Sequence, residues 1–68
     1  MILFKERLKD LRIERKLTQS QLAEALCVKQ RAISHWENGD RQPDLDTLEV
    51  IAKYFNVSYD YLLGLNDE

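Results

Sequence analysis

The sequence predicts an all-α fold, a compact bundle of five short helices, on three observations. Apolar residues recur at helical spacing in several stretches, which leaves each stretch with one face to bury. Cap-forming residues stand where these stretches begin. Asn and Gly stand where they end.

The clearest stretch is Thr18 to Gly39. Thr18 and Gln21 have the spacing of a capping box, in which side chain and backbone satisfy each other across the first helical turn. Leu22, Ala23 and Leu26 follow at helical spacing. A second helix runs from about Lys29 to Glu37 and stops at Asn38-Gly39, after a tight corner at Cys27. Val28, Ala32, Ile33 and Trp36 fall on one side of it and can pack. Gln30, Arg31, Ser34 and His35 fall on the other. A solvated surface is the ordinary meaning of such a face. Here, however, the face carries no acid, and its amide, guanidinium, hydroxyl and imidazole groups can all hydrogen-bond to base edges.

The remaining elements follow in chain order. The spacing of Phe4, Leu8 and Leu11 predicts a first helix from about Phe4 to Arg15. Arg12 lies one turn from Leu8, beside the apolar stripe, where a charge needs a partner. Arg15-Lys16-Leu17 links to the second helix. Asp40-Arg41-Gln42-Pro43 reads as a loop. Asp44 is the expected N-cap of helix four, with Asp46 and Glu49 favouring the positive end of its dipole. Its expected core face is Leu45, Leu48, Ile51, Ala52 and Phe55, and Asn56 is its stop. Ser58 caps a last short helix whose N-terminus Asp60 complements, while Val57, Leu62 and Leu63 close the core. Tyr54, Tyr59 and Tyr61 read as half-buried packing that, with Leu65, offers a dimer patch. Leu65 to Glu68 is expected to fray.

Sixty-eight residues with 44% apolar content make one domain, 1–68, with its core over 4–64. A chain this short buries only about 60% of its unfolded surface. No apolar run approaches the ~20 residues of a membrane span, and no signal-peptide pattern precedes the first charges. One cysteine, Cys27, allows no internal disulfide and suits a reducing cytoplasm. One Cys and one His make no zinc site, and no cofactor or small-molecule ligand is expected. The net charge of −2 is unevenly spread. Residues 1–41 hold nine Lys/Arg against six acids, a net +3, whereas residues 42–68 hold one Lys against six acids, a net −5. The basic half contains the polar-faced helix. A weak basic field implies modest nonspecific affinity for nucleic acid.

Several short motifs, in order and at fixed spacing, carry a family resemblance. They are Leu17-Thr18-Gln19-Ser20-Gln21-Leu22-Ala23, Ala32-Ile33-Ser34, Trp36-Glu37-Asn38-Gly39, Arg41-Gln42-Pro43, Leu48 with Ile51-Ala52, and Val57-Ser58 before Tyr61-Leu62-Leu63-Gly64. From Phe4 to Gly64 the chain resembles the Cro/phage-repressor, or lambda-repressor-like, helix-turn-helix domain. The resemblance implies a bundle in which helices two and three form the helix-turn-helix. It also implies a regulator of transcription, bacterial or phage-encoded, cytoplasmic and bound to the nucleoid. Such a protein binds double-stranded DNA without enzymatic activity, most often as a repressor and a dimer on a two-fold operator. Gln30, Arg31, Ser34 and His35 would read bases, and Gln19, Lys29, Asn38 and Arg41 would hold phosphates. Gln19 would do so at the helix N-terminus, where amides and dipole favour an anion. Arg12 would pair with Glu37, tying helix one to the recognition helix.

Two positions depart from the family pattern. Cys27 stands where Gly is usual, at a left-handed position that costs a side chain about 1–2 kcal/mol. Lys29 stands at an N-cap where Ser or Thr is usual, and its charge opposes the dipole. The rival function is a protein-interaction module, of antitoxin or antirepressor-binding type, working through the acidic half. An enzyme is not expected, because Cys27 and His35 are expected on opposite sides of the DNA-facing helix and no carboxylate is placed for acid–base work.

Overall fold

The computed structural model describes residues 3–65. Five helices follow one another: α1 (Phe4–Glu14), α2 (Gln19–Leu26), α3 (Gln30–Asn38), α4 (Leu45–Phe55) and α5 (Tyr59–Leu63). The part of the expected frayed tail at 66–68 lies outside the described residues.

Three of the helices begin on side-chain caps. Thr18 accepts from the Gln21 amide, and the Gln21 side chain accepts from the Thr18 amide, completing the capping box. Asp44 accepts from the Thr47 amide and Ser58 from the Tyr61 amide. The bond from Thr47 holds the Asp44 carboxyl below the usual carboxylate range. Four helices end in left-handed residues. Gly39 and Gly64 take this conformation at no steric cost, Asn56 tolerates it, and Cys27 at φ 60 does not. Lys16, just past α1, is also left-handed at φ 59, which lets Leu17 bond back to the Arg12 carbonyl.

The core draws on every helix: Phe4, Leu8 and Leu11; Leu22, Ala23 and Leu26; Ile33 and Trp36; Leu48, Ile51, Ala52 and Phe55; and Leu62. Val28, Ala32, Val57 and Leu63 pack against it half-buried. Leu45 does not belong to it. As the first residue of α4 it shares the stripe of Leu48, but it projects beyond the packed helices and is 81% exposed. With Leu48, Tyr59 and Leu63 it lines an apolar surface groove of about 290 Å³.

Arginine stacking fastens α1 to the C-terminal half. The Arg7 guanidinium lies 4.3 Å from the Tyr61 ring centre, and Arg15 lies 5.4 Å from that of Phe55. Tyr54 meets Phe55 edge-on. Tyr54 and Tyr61 are therefore committed to packing, and among the tyrosines only Tyr59 is exposed. At Gly64, φ +79, a Cβ would come within 2.6 Å of Leu3, so the first and last described turns are pressed together. Among the described residues no helix is long and apolar enough to cross a membrane.

Candidate nucleic-acid interface

The corner between α2 and α3 sets the direction of α3. Cys27 turns the chain in its left-handed conformation, and the amides of Cys27 and Val28 return to carbonyls of α2. Lys29 then occupies the N-cap in extended conformation without a side-chain cap bond. Ile33 and Trp36 point into the core, which turns the opposite side of α3 outward. That side carries Gln30 and Arg31, both exposed, and Ser34 and His35, both half-exposed. Exposed Lys29 and Asn38 stand at its two ends, and Arg41 is exposed in the following loop.

A hydrogen-bonded chain runs behind this face. Arg12 donates from Nε to Glu37 Oε2 at 2.6 Å and from Nη2 to Glu37 Oε1 at 3.0 Å. Its Nη1 donates to the Leu17 carbonyl at 2.8 Å. The hydrogen bonding of Arg12 to Glu37 raises the Arg12 pKa above its ordinary value; burial opposes this and the carboxylate charge adds to it. The Glu37 side chain is only 4% exposed, so nearly all its compensation comes from protein donors. Gln19 supplies another, donating from Nε2 to Glu37 Oε1 at 3.2 Å. The Gln19 Oε1 in turn accepts a long bond, 3.5 Å, from Gln30 Nε2. One proton of the Gln19 amide remains for an external acceptor. Gln19, expected at a phosphate, thus also links the ion pair to a residue expected to read bases.

The end of α3 brings a carboxylate to the histidine: Asp40 Oδ2 lies 3.1 Å from His35 Nδ1. Gly39 is the reason. Its left-handed conformation folds the chain back, and the amides of Gly39 and Asp40 both donate to the His35 carbonyl. Asp40 is thereby returned to the last turn of the helix. The signal was present in the sequence, because a glycine stop brings the residue after it back over the turn it ends. Among the described residues no group of His, Cys, Asp and Glu could hold a metal ion.

Residues 8–62 match the family model for the helix-turn-helix. The chain belongs to that family, in its Cro/phage-repressor type. It is 48% identical over 61 residues to the HTH-type transcriptional activator BcrR of Enterococcus faecalis, covering 90% of this chain and 30% of that protein. A crystal structure of a transcriptional regulator from Listeria innocua superposes with a TM-score of 0.85 at 37% identity, over 96% of this chain and 61% of that one. The DNA-binding domain of the P22 C2 repressor superposes with a TM-score of 0.80 at 33% identity, over 88% of this chain and 79% of that domain. The chain spans 30% to 56% of the lengths of the curated relatives it matches.

Proposed function

We propose that this domain regulates transcription by binding double-stranded DNA at a specific sequence, as a repressor and as a dimer on a two-fold operator. The observation that carries the reading is the outward face of α3: Gln30, Arg31, Ser34 and His35 on a helix held from behind by the Arg12–Glu37 pair. In this reading α3 enters the major groove and those four side chains read bases. Lys29 and Asn38, exposed at the two ends of α3, are the side chains there that can donate to phosphates. With Gln19 and Arg41 they fix register without reading sequence. The relative named an activator and the domain named a repressor's support regulation in either direction. We favour repression on the motifs from Phe4 to Gly64 that the chain shares with the Cro/phage-repressor type; the extent of the match does not separate the two, since the relative named an activator is matched over 90% of the chain.

One recognition helix reads few base pairs, so useful specificity calls for two copies with half-sites about 34 Å apart. The apolar groove of Leu45, Leu48, Tyr59 and Leu63, together with the exposure of Leu65 in the same half of the chain, supports pairing through the C-terminal half. The test is selection of bound sites from random duplexes, followed by gel-shift measurement of the selected site. A palindromic consensus with two half-sites one helical turn apart is the expected result. Retention of no sequence at low salt, with a stable complex to another protein instead, would favour the rival interaction module.

A further inference from the structure

Asp40 is misplaced by two ordinary criteria. It follows the C-terminal end of a helix, where a negative charge opposes the dipole. It also lies beside the face proposed to meet phosphates, which it would repel. Its side chain is 54% exposed, so burial does not explain it. What the acid does have is His35 Nδ1, at 3.1 Å.

We infer that Asp40 is a positioning residue that sets the base preference of His35, through the tautomer it imposes. The inference rests on the DNA-binding reading and deepens it. An ionised carboxylate can only accept. The proton of a neutral His35 ring must therefore sit on Nδ1, and Nε2 is left with a lone pair. The ring nitrogens diverge, so a ring held at Nδ1 by Asp40 turns Nε2 away from it. The backbone end of the arrangement is also fixed, since the His35 carbonyl accepts both the Gly39 and Asp40 amides. Nε2 then faces the DNA as an acceptor. In the major groove its partners are the exocyclic amines of cytosine and adenine. Guanine presents only acceptors there, and thymine an acceptor and a methyl group, so neither satisfies a neutral Nε2. Without Asp40 the ring would be free to put its proton on Nε2 and donate to guanine, thymine or adenine N7, so that the preference for an exocyclic amine is lost. Arg31, one turn earlier on the exposed face, reads by donation, so the two neighbours would select complementary base edges.

His35 is the only histidine in the chain, which makes its ring nitrogens unambiguous in a nitrogen-15 spectrum. The test is run at pH 8 on the native chain, Asp40→Ala and His35→Ala. In the free native protein the spectrum should show the Nδ1–H tautomer, and in Asp40→Ala a shift toward Nε2–H. Site selection should give the native protein cytosine or adenine at one position per half-site, preferred about fivefold, as expected for one neutral hydrogen bond. Both variants should lose that preference and keep the rest of the consensus. An Nε2–H tautomer in the native protein overturns the inference, as does a consensus that Asp40→Ala leaves unchanged. Selection of no sequence at all overturns the DNA-binding reading and this one with it; a consensus indifferent to Asp40 overturns this one alone.

Discussion

Arg12→Leu removes the cation from a carboxylate that the fold has nearly sealed. Glu37 loses two of its three donors and keeps only the 3.2 Å bond from Gln19. The Leu17 carbonyl loses its 2.8 Å bond as well. Breaking one side of a buried pair typically costs about 3–5 kcal/mol. The Arg12 side chain is 13% exposed, so water can reach its vacated place, and the lower end of that range is expected. A domain of 68 residues has a total stability of roughly 3–10 kcal/mol. A loss of about 3 kcal/mol in a domain this small lowers Tm by at least about 12 °C. Adding Glu37→Leu removes the stranded charge, and such apolar replacements of buried pairs are often neutral or stabilising. The Leu17 carbonyl still lacks a partner and the Gln19 amide now loses Glu37, so the double variant should regain about 1–3 kcal/mol rather than everything. Thermal melts followed by circular dichroism, with urea titrations for the free energies, measure both steps. A double variant that melts no higher than Arg12→Leu would refute the argument, because it would mean that the buried Glu37 charge is not what the single substitution exposes.

Other substitutions separate the remaining roles. Lys29→Ser should stabilise the free protein by roughly 0.5–1 kcal/mol by supplying the missing cap. The same variant should flatten the slope of log K against log salt by about one unit, and higher stability with an unchanged slope would remove Lys29 from the DNA contacts. Arg31→Ala should cost about 1–3 kcal/mol of binding and relax preference at one base pair, whereas Gln19→Ala should weaken binding to every sequence; competition with random duplex distinguishes the two. Cys27→Gly should raise stability by about 1 kcal/mol, read from the urea midpoint, since glycine adopts φ 60 without the side-chain penalty. Asp44 has a folded pKa below its unfolded one, so its contribution is present above the ordinary carboxylate range and fades as pH falls through the lowered value. In Asp44→Asn, which keeps a cap but cannot ionise, the decline in urea midpoint on acidification should be shallower.

The sequence made the helices legible to within a residue or so because their signals are local. Caps at Thr18, Asp44 and Ser58 and stops at Gly39 and Asn56 each act within one turn. The core stripes were legible for the same reason. Leu45 was misread because periodicity describes an endless helix and this residue begins one. Its spacing puts it on the right stripe, but no neighbour reaches far enough to cover it. The end of α1 falls within one residue of the expected Arg15, but the left-handed Lys16 just beyond it is a turn that nothing in a lysine announces. The residues of α3 were legible as a face, and its Arg12–Glu37 support followed from the family resemblance, but the contacts made by Gln19 and Asp40 were not legible. The contacts of Gln19 with Gln30 and of Asp40 with His35 depend on side-chain rotamers and on how a corner or a stop aims the chain. The glycine stop at Gly39 announces the return of the chain over the last turn of α3, but composition and spacing do not say which side chains then meet.

Gly64 against Leu3 has a consequence for how the domain assembles. The two residues are separated by almost the whole described chain, so their contact closes the largest loop in the fold. Loop-closure entropy opposes that step until the intervening helices have collapsed. Helices α2 and α3 can find each other early, across a short corner, but α1 supplies Phe4, Leu8 and Leu11 to the core and is fastened at its start by Arg7 to Tyr61 of α5. The helix-turn-helix therefore shares its core with α1, whose start is fastened to α5. It is held in place only when both ends of the chain have docked, and local opening at either end should spread to the surface that meets DNA. A side chain at position 64 would act as a wedge on that closure. Its effect should appear in the unfolding rate of the whole domain rather than as fraying confined to α5.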